Sequence, residues 1–138
     1  MVAVQETSSS VAPTSKGALW TGRVLSILSI LFLLFDAFGK FARPVQVTDA
    51  FTRLGLPLAT SLTIGVVLTV CTLLYAIPRT AVLGAVLLTG YLGGAVAIHL
   101  RAGSPTFEEI FPALFGVIAW AGLYLRDPEL RRFLPIRR

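Results

Sequence analysis

Charged and titratable residues cluster beside long apolar segments, and their types could support acid–base chemistry. The candidate site residues are Asp36, Lys40, His99, Arg101, Glu108 and Glu109. Asp36 and Lys40 are four residues apart, so on a helix they share one face and can pair. Carboxylates, bases and an imidazole in one place could relay protons or bind a polar headgroup. Charges at helix ends are also commonly structural, so the sequence leaves both interpretations open.

The composition assigns the chain to the membrane proteins. The chain has 138 residues, of which 55% are hydrophobic and only 14% charged, against roughly 25% charged in an ordinary soluble domain. Its mean hydropathy is +0.80. A soluble fold of this size could not bury so much apolar surface. The one histidine and one cysteine exclude a disulfide framework and a three-histidine zinc site within one chain, so we expect no metal.

The elements that must position these residues are predicted to be membrane-spanning helices. Residues 17–38, 57–77, 80–100 and 110–125 are apolar runs of near-spanning length. We therefore predict an all-α membrane protein, a four-transmembrane-helix bundle, with Pro57 in the first turn of the second span.

The segments between and around the spans complete the predicted organisation. Residues 45–54 repeat apolar side chains at helical spacing, which predicts a short interfacial helix between spans one and two. The predicted divisions are a disordered tail over 1–16, the transmembrane domain over 17–126 and a basic cytoplasmic tail over 127–138. The last is expected to lie on anionic membrane lipid and not to bind nucleic acid.

The charge distribution predicts the orientation of a multi-pass protein in the cell (inner) membrane. Most basic residues fall on the side that holds both termini: Lys16, Arg23, Arg79, Arg126, Arg131, Arg132, Arg137 and Arg138. The positive-inside rule therefore places both termini in the cytoplasm. The alternation of the helices then brings all six candidate site residues to the non-cytoplasmic side, at one depth. Burial in lipid is costly for ionisable groups, which favours their convergence within the bundle.

Small residues form a stripe along the third span, which includes a GxxxG pattern at Gly90 and Gly94. Such residues let helices approach closely in lipid. The stripe is consistent with the third span being the most buried helix of the bundle. It is also consistent with a homodimer through Gly90 and Gly94.

Several short motifs occur in order along the chain: LFDAFGK at 34–40, FTRLGLP at 51–57, GYLGGA at 90–95, HLR at 99–101 and WAGLYLRDP at 120–128. Together they resemble the DoxX-like family of small four-helix bacterial membrane proteins. The family takes its name from a membrane subunit of a thiosulfate:quinone oxidoreductase. The resemblance therefore implies a subunit or accessory of a quinone-linked redox system, with quinone as the cofactor and a redox partner protein. It supplies no catalytic residues.

The residues themselves leave the function open between three hypotheses. A quinone site needs hydrogen-bond donors to the quinone carbonyl and a titratable group that supplies or removes protons. The candidate cluster contains both. The alternatives are a non-catalytic module that binds lipid or a small molecule, and a membrane anchor. The sequence has no GxGxxG or Walker motif, so whether the chain is an enzyme is left open.

The predicted topology can be tested by labelling single cysteines. On a Cys71→Ala background, a cysteine at Ser8 and a cysteine at Ser104 are expected on opposite sides of the membrane. An impermeant maleimide added outside intact cells should label only the cysteine at position 104. Equal labelling at both positions would contradict the topology.

Overall fold

The computed structural model describes residues 15–134 and contains α-helices with one 3₁₀ turn in that range. The helices are α1 (Lys16–Ala42), α2 (Val45–Arg53), α3 (Thr60–Ala76), α4 (Ala81–Ala102), α5 (Thr106–Arg126) and α6 (Pro128–Phe133), with the 3₁₀ turn at Pro78–Thr80. This confirms the all-α fold and the short helix between the first two long apolar helices. Ser15 caps α1 by accepting a hydrogen bond from the Ala18 amide. The rest of the predicted N-terminal tail, and residues 135–138, lie outside the described residues.

Three of the apolar helices are long enough to cross a membrane, namely α1, α5 and α4 with the 3₁₀ turn before it. The fourth, α3, is a shorter apolar helix of 17 residues, which at 1.5 Å per residue spans about 26 Å. The prediction that Pro57 lies in its first turn is wrong. The Pro57 carbonyl instead accepts hydrogen bonds from the Thr60 amide and hydroxyl, so a turn precedes the helix.

The four apolar helices form a ring in which each packs on two neighbours. Helix α1 packs against α3 and α5, and α4 packs against the same two helices from the opposite side. Large apolar side chains cover the outside, among them Leu31, Phe35, Val66, Val86 and Val117. An apolar outer surface suits hydrocarbon, where backbone polar groups must be satisfied within the helices. The chain is therefore a multi-pass membrane protein.

The helices approach most closely at the end of the bundle where α1 and α4 begin and α3 and α5 end, which we call the closed end. A Cβ atom on Gly22 of α1 would lie 2.8 Å from the Gly122 carbonyl oxygen of α5. A Cβ on Gly84 of α4 would lie 2.2 Å from the Tyr75 nitrogen of α3. The absence of side chains at these positions is what lets the backbones meet.

A buried tyrosine joins three helices at the closed end. The Tyr75 hydroxyl of α3 donates to the Ala119 carbonyl of α5 at 2.7 Å. It lies 3.0 Å from the Ser26 Oγ of α1, which must then be the donor of that contact. The Arg126 guanidinium lies over the Tyr75 ring, 5.5 Å from its centre. These contacts make Tyr75 a packing residue, in agreement with the helical pattern of the sequence.

The glycine stripe of α4 divides into a packed half and an open half. Ala81, Gly84 and Ala85 are buried, whereas a Cβ on Gly90 or Gly94 would have no atom within 4 Å. The interpretation of Gly90 and Gly94 as a close helix contact is therefore wrong within this chain, because no other helix lies against them. The homodimer through these residues stays a prediction.

The packed and open halves of the stripe predict different effects for a glycine-to-alanine substitution in α4. Gly84→Ala should lower the free energy of unfolding by about 1–3 kcal/mol or more, because its methyl group meets α3 backbone. Gly93→Ala is the matched control, since a Cβ there meets nothing within 4 Å. Thermal unfolding in mild detergent measures both. Equal melting temperatures would contradict the packing at the closed end.

Candidate functional site

The bundle encloses a cavity at its other end, where α1 and α4 end and α3 and α5 begin, which we call the open end. Its volume is about 510 Å³, and α1, α2, α3, α4 and α5 all contribute to its lining. Small-molecule sites in proteins usually occupy roughly 300–1,000 Å³. The cavity is therefore large enough for a small organic molecule or the head of a lipid.

One wall of the cavity is aromatic. Phe107, Phe111 and Phe115 of α5 are spaced by four residues and line it together with Phe32 of α1. The rings of Phe32 and Phe115 are stacked, with centroids 4.1 Å apart, and Phe111 lies edge-on to Phe32 at 5.4 Å. Flat faces of this kind favour contact with a planar ring.

The opposite wall is formed by small residues of α4. Gly90 and Gly94 line the cavity, and because neither has a side chain, they leave the space beside them open. The tyrosine between them, Tyr91, also lines the cavity and brings a hydroxyl group to an otherwise apolar wall.

Helix α2 covers the open end of the cavity. Its apolar residues Val47, Ala50 and Phe51 line the cavity, while Gln46 and Asp49 are exposed. Such an amphipathic helix is what the spacing of residues 45–54 predicts. The chain enters α2 through Arg43, whose φ of 51° is left-handed, followed by Pro44 as N-cap.

The polar residues of the cavity lie on three helices. Asp36 and Lys40 of α1, His99 of α4 and Glu108 of α5 all line it. Lys40 Nζ donates to Asp36 Oδ2 at 2.6 Å, and the Lys40 side chain is only 13% exposed. Four of the six candidate site residues are thus brought to one cavity, as the alternation of the helices predicts.

His99 and Glu108 form a second polar contact within this group. The His99 Nδ1 atom lies 3.0 Å from Ser104 Oγ and 3.7 Å from Glu108 Oε2. Arg53 of α2 donates to both Glu108 carboxylate oxygens at 3.4 Å. Glu108 therefore connects α2 to α4.

The other two candidate residues lie outside the cavity lining. Arg101 is exposed, and its Nη2 donates to the Leu54 carbonyl at the end of α2 at 3.1 Å. Glu109 is half-buried in the first turn of α5 but does not line the cavity. Consecutive residues of a helix point about 100° apart, which separates the Glu109 side chain from that of Glu108.

The aromatic wall was not among the residues singled out from the sequence. The sequence does contain a pattern that predicts this wall, because the spacing of Phe107, Phe111 and Phe115 puts the three rings on one helix face. Cys71 is buried in the core, as its apolar surroundings predict. Among residues 15–134, no group of three His, Cys, Asp or Glu side chains could hold a metal ion.

These features define a helical membrane protein with a ligand-sized cavity between its spans. The family model described as the DoxX-like family matches residues 24–122, and the chain belongs to this family. The match covers α2 to α4, most of α1 and α5, and every residue of the cavity. No similar curated protein and no similar solved structure was found.

The contact between Arg53 and Glu108 predicts how firmly α2 is held over the cavity. Arg53→Ala should speed amide hydrogen exchange in α2 by up to about fivefold, because an exposed ion pair contributes about 0.2–1 kcal/mol. Asp49→Asn, at an exposed position of the same helix, is the control and should change little. Hydrogen exchange read by mass spectrometry measures both. Unchanged exchange in Arg53→Ala would show that the apolar face alone holds α2.

Proposed function

We propose that this protein binds a quinone in the cavity of the open end and serves as a subunit or accessory of a quinone-linked redox system. The observation that carries the proposal is the meeting of Asp36, Lys40, His99 and Glu108 in a cavity whose remaining lining is mainly apolar. An apolar cavity with a few convergent polar groups is the usual form of a small-molecule site.

The residues present fit the chemistry of a quinone. Its two carbonyl oxygens need hydrogen-bond donors, and Lys40, Tyr91 and His99 are the donors that line the cavity. The planar quinone ring packs well against aromatic side chains, and the stacked rings of Phe32 and Phe115 provide such a surface in the cavity lining. A quinone when bound supplies two-electron, two-proton redox chemistry.

The source of electrons in this proposal is a second protein. The sequence contains no GxGxxG motif for a dinucleotide and has a single cysteine. A redox partner protein would therefore deliver or accept the electrons, and this chain would hold the quinone in the membrane. Membrane lipid surrounds the bundle and gives a quinone its access.

The proposal predicts that filling the cavity abolishes quinone binding without unfolding the bundle. Gly94→Leu places a side chain in the cavity, and a Cβ at that position meets no atom within 4 Å. Binding of decylubiquinone, followed by quenching of tryptophan fluorescence in lipid nanodiscs, should weaken at least tenfold, a change of about 1.4 kcal/mol.

The matched control is Gly93→Leu. Gly93 is also open and exposed but does not line the cavity, so this variant should bind like the wild type. Equal quenching in both variants would show that the quinone only partitions into the lipid. Phospholipid or fatty acid that co-purifies with the wild type and not with Gly94→Leu, in the absence of quinone, would favour the non-catalytic lipid-binding alternative.

A further inference from the structure

We propose that Glu108 and His99 carry protons between the cavity and the aqueous phase at the open end. The inference rests on the proposed quinone function, because a quinone held in the cavity exchanges protons when it is reduced or oxidised. It adds a route for those protons and names the residues that form it.

The first support is the order of exposure along the contact chain. The His99 side chain is 20% exposed, that of Glu108 is 32% exposed and that of Arg53 is 60% exposed. His99 and Glu108 line the cavity, whereas Arg53 does not. The three side chains thus lead stepwise from the cavity to the outer face of α2.

The second support is the chemistry of the atoms that face each other. His99 Nδ1 lies against Ser104 Oγ at 3.0 Å and Glu108 Oε2 at 3.7 Å. Imidazole can take up a proton at one ring nitrogen and release one from the other, which suits it to pass protons at physiological pH. The Ser104 hydroxyl can donate to His99 Nδ1 or accept from it, so it can stabilise either tautomer of the imidazole.

The third support is the surrounding charge. Arg53 faces Glu108 from α2, and the Asp36–Lys40 pair shares the cavity from α1. Arg101 of α4 instead binds the Leu54 carbonyl. Asp36 is paired with Lys40 within its own helix at 2.6 Å, whereas Glu108 contacts residues of two other helices. The Asp36 side chain is itself 41% exposed, so what distinguishes Glu108 as the carboxylate of the route is its contact with both His99 and Arg53.

The proton transfer balances as follows when the ligand is reduced by its redox partner. Hydronium gives a proton to Glu108 and leaves water. The Glu108 O–H bond breaks as an N–H bond forms at His99 Nδ1, and the N–H bond at Nε2 breaks as an O–H bond forms on the ligand oxygen. A turn of the imidazole ring then restores the starting arrangement, with the protonated nitrogen toward the ligand. The redox partner protein supplies two electrons, and a second transfer supplies the second proton.

The test is infrared difference spectroscopy of the protein in lipid with bound decylubiquinone, reduced and reoxidised at an electrode. In the wild type, a carboxyl band that shifts in heavy water should appear and decay while the quinone bands develop. Glu108→Gln should lose this band and keep the quinone bands. Glu109→Gln, one residue further on and outside the cavity lining, is the matched control and should keep both.

The possible outcomes distinguish a failure of the proposed proton route from a failure of the proposed quinone binding. Absence of quinone bands in the wild type would contradict the proposed function and the route together. Quinone bands without a carboxyl band, or a carboxyl band that survives in Glu108→Gln and disappears in Asp36→Asn, would overturn the route alone. His99→Gln provides a second variant: it should slow the decay of the carboxyl band at least tenfold, because Glu108 then lacks the group that takes its proton, and an unchanged decay would contradict the role of His99.

Discussion

The close approach of the helices at the closed end is the constraint on which the rest of the structure depends. Gly22 of α1 meets Gly122 of α5 there, and Gly84 of α4 meets the backbone of α3 at Tyr75. In hydrocarbon the hydrophobic effect does not drive helices together, so contacts of this kind must hold the bundle. Because the four helices are held together at the closed end, the open end can accommodate the cavity, while α1 and α3 stay in contact there at Gly65 and Lys40.

Polar groups have different tasks at the two ends of the bundle. At the closed end, arginine side chains bind main-chain carbonyls: Arg126 reaches Tyr75, and Arg131 reaches Tyr124 and Leu125. The Asp127 side chain accepts from two amides at the start of α6. These contacts satisfy helix ends that would otherwise be unpaired. At the open end, Asp36, Lys40, His99 and Glu108 instead line a cavity together with Tyr91.

Much of this arrangement follows from the sequence, because hydropathy and the alternation of spans act over whole helices. They predict the all-α bundle, the position of α2 and the meeting of Asp36 with His99 at one end. Contacts that depend on how the surfaces of two helices fit together cannot be predicted from the sequence in this way. Gly84 and Gly94 look equivalent in the stripe, yet only Gly84 touches another helix. Arg101 lies two residues after His99 on α4, and its side chain points to the surface at Leu54. The sequence predicts how deep in the membrane a residue lies more readily than the direction in which its side chain points.

A single carboxylate links the cover of the cavity to its polar group. Glu108 faces Arg53 on α2 and His99 on α4, so a proton that arrives at Glu108 also removes the charge that attracts Arg53. The ion pair is exposed and contributes little to the free energy of folding. The apolar residues Val47, Ala50 and Phe51 also line the cavity and hold α2 over it. In the proton route proposed above, proton exchange at Glu108 therefore also alters the ion pair that ties α2 to α5.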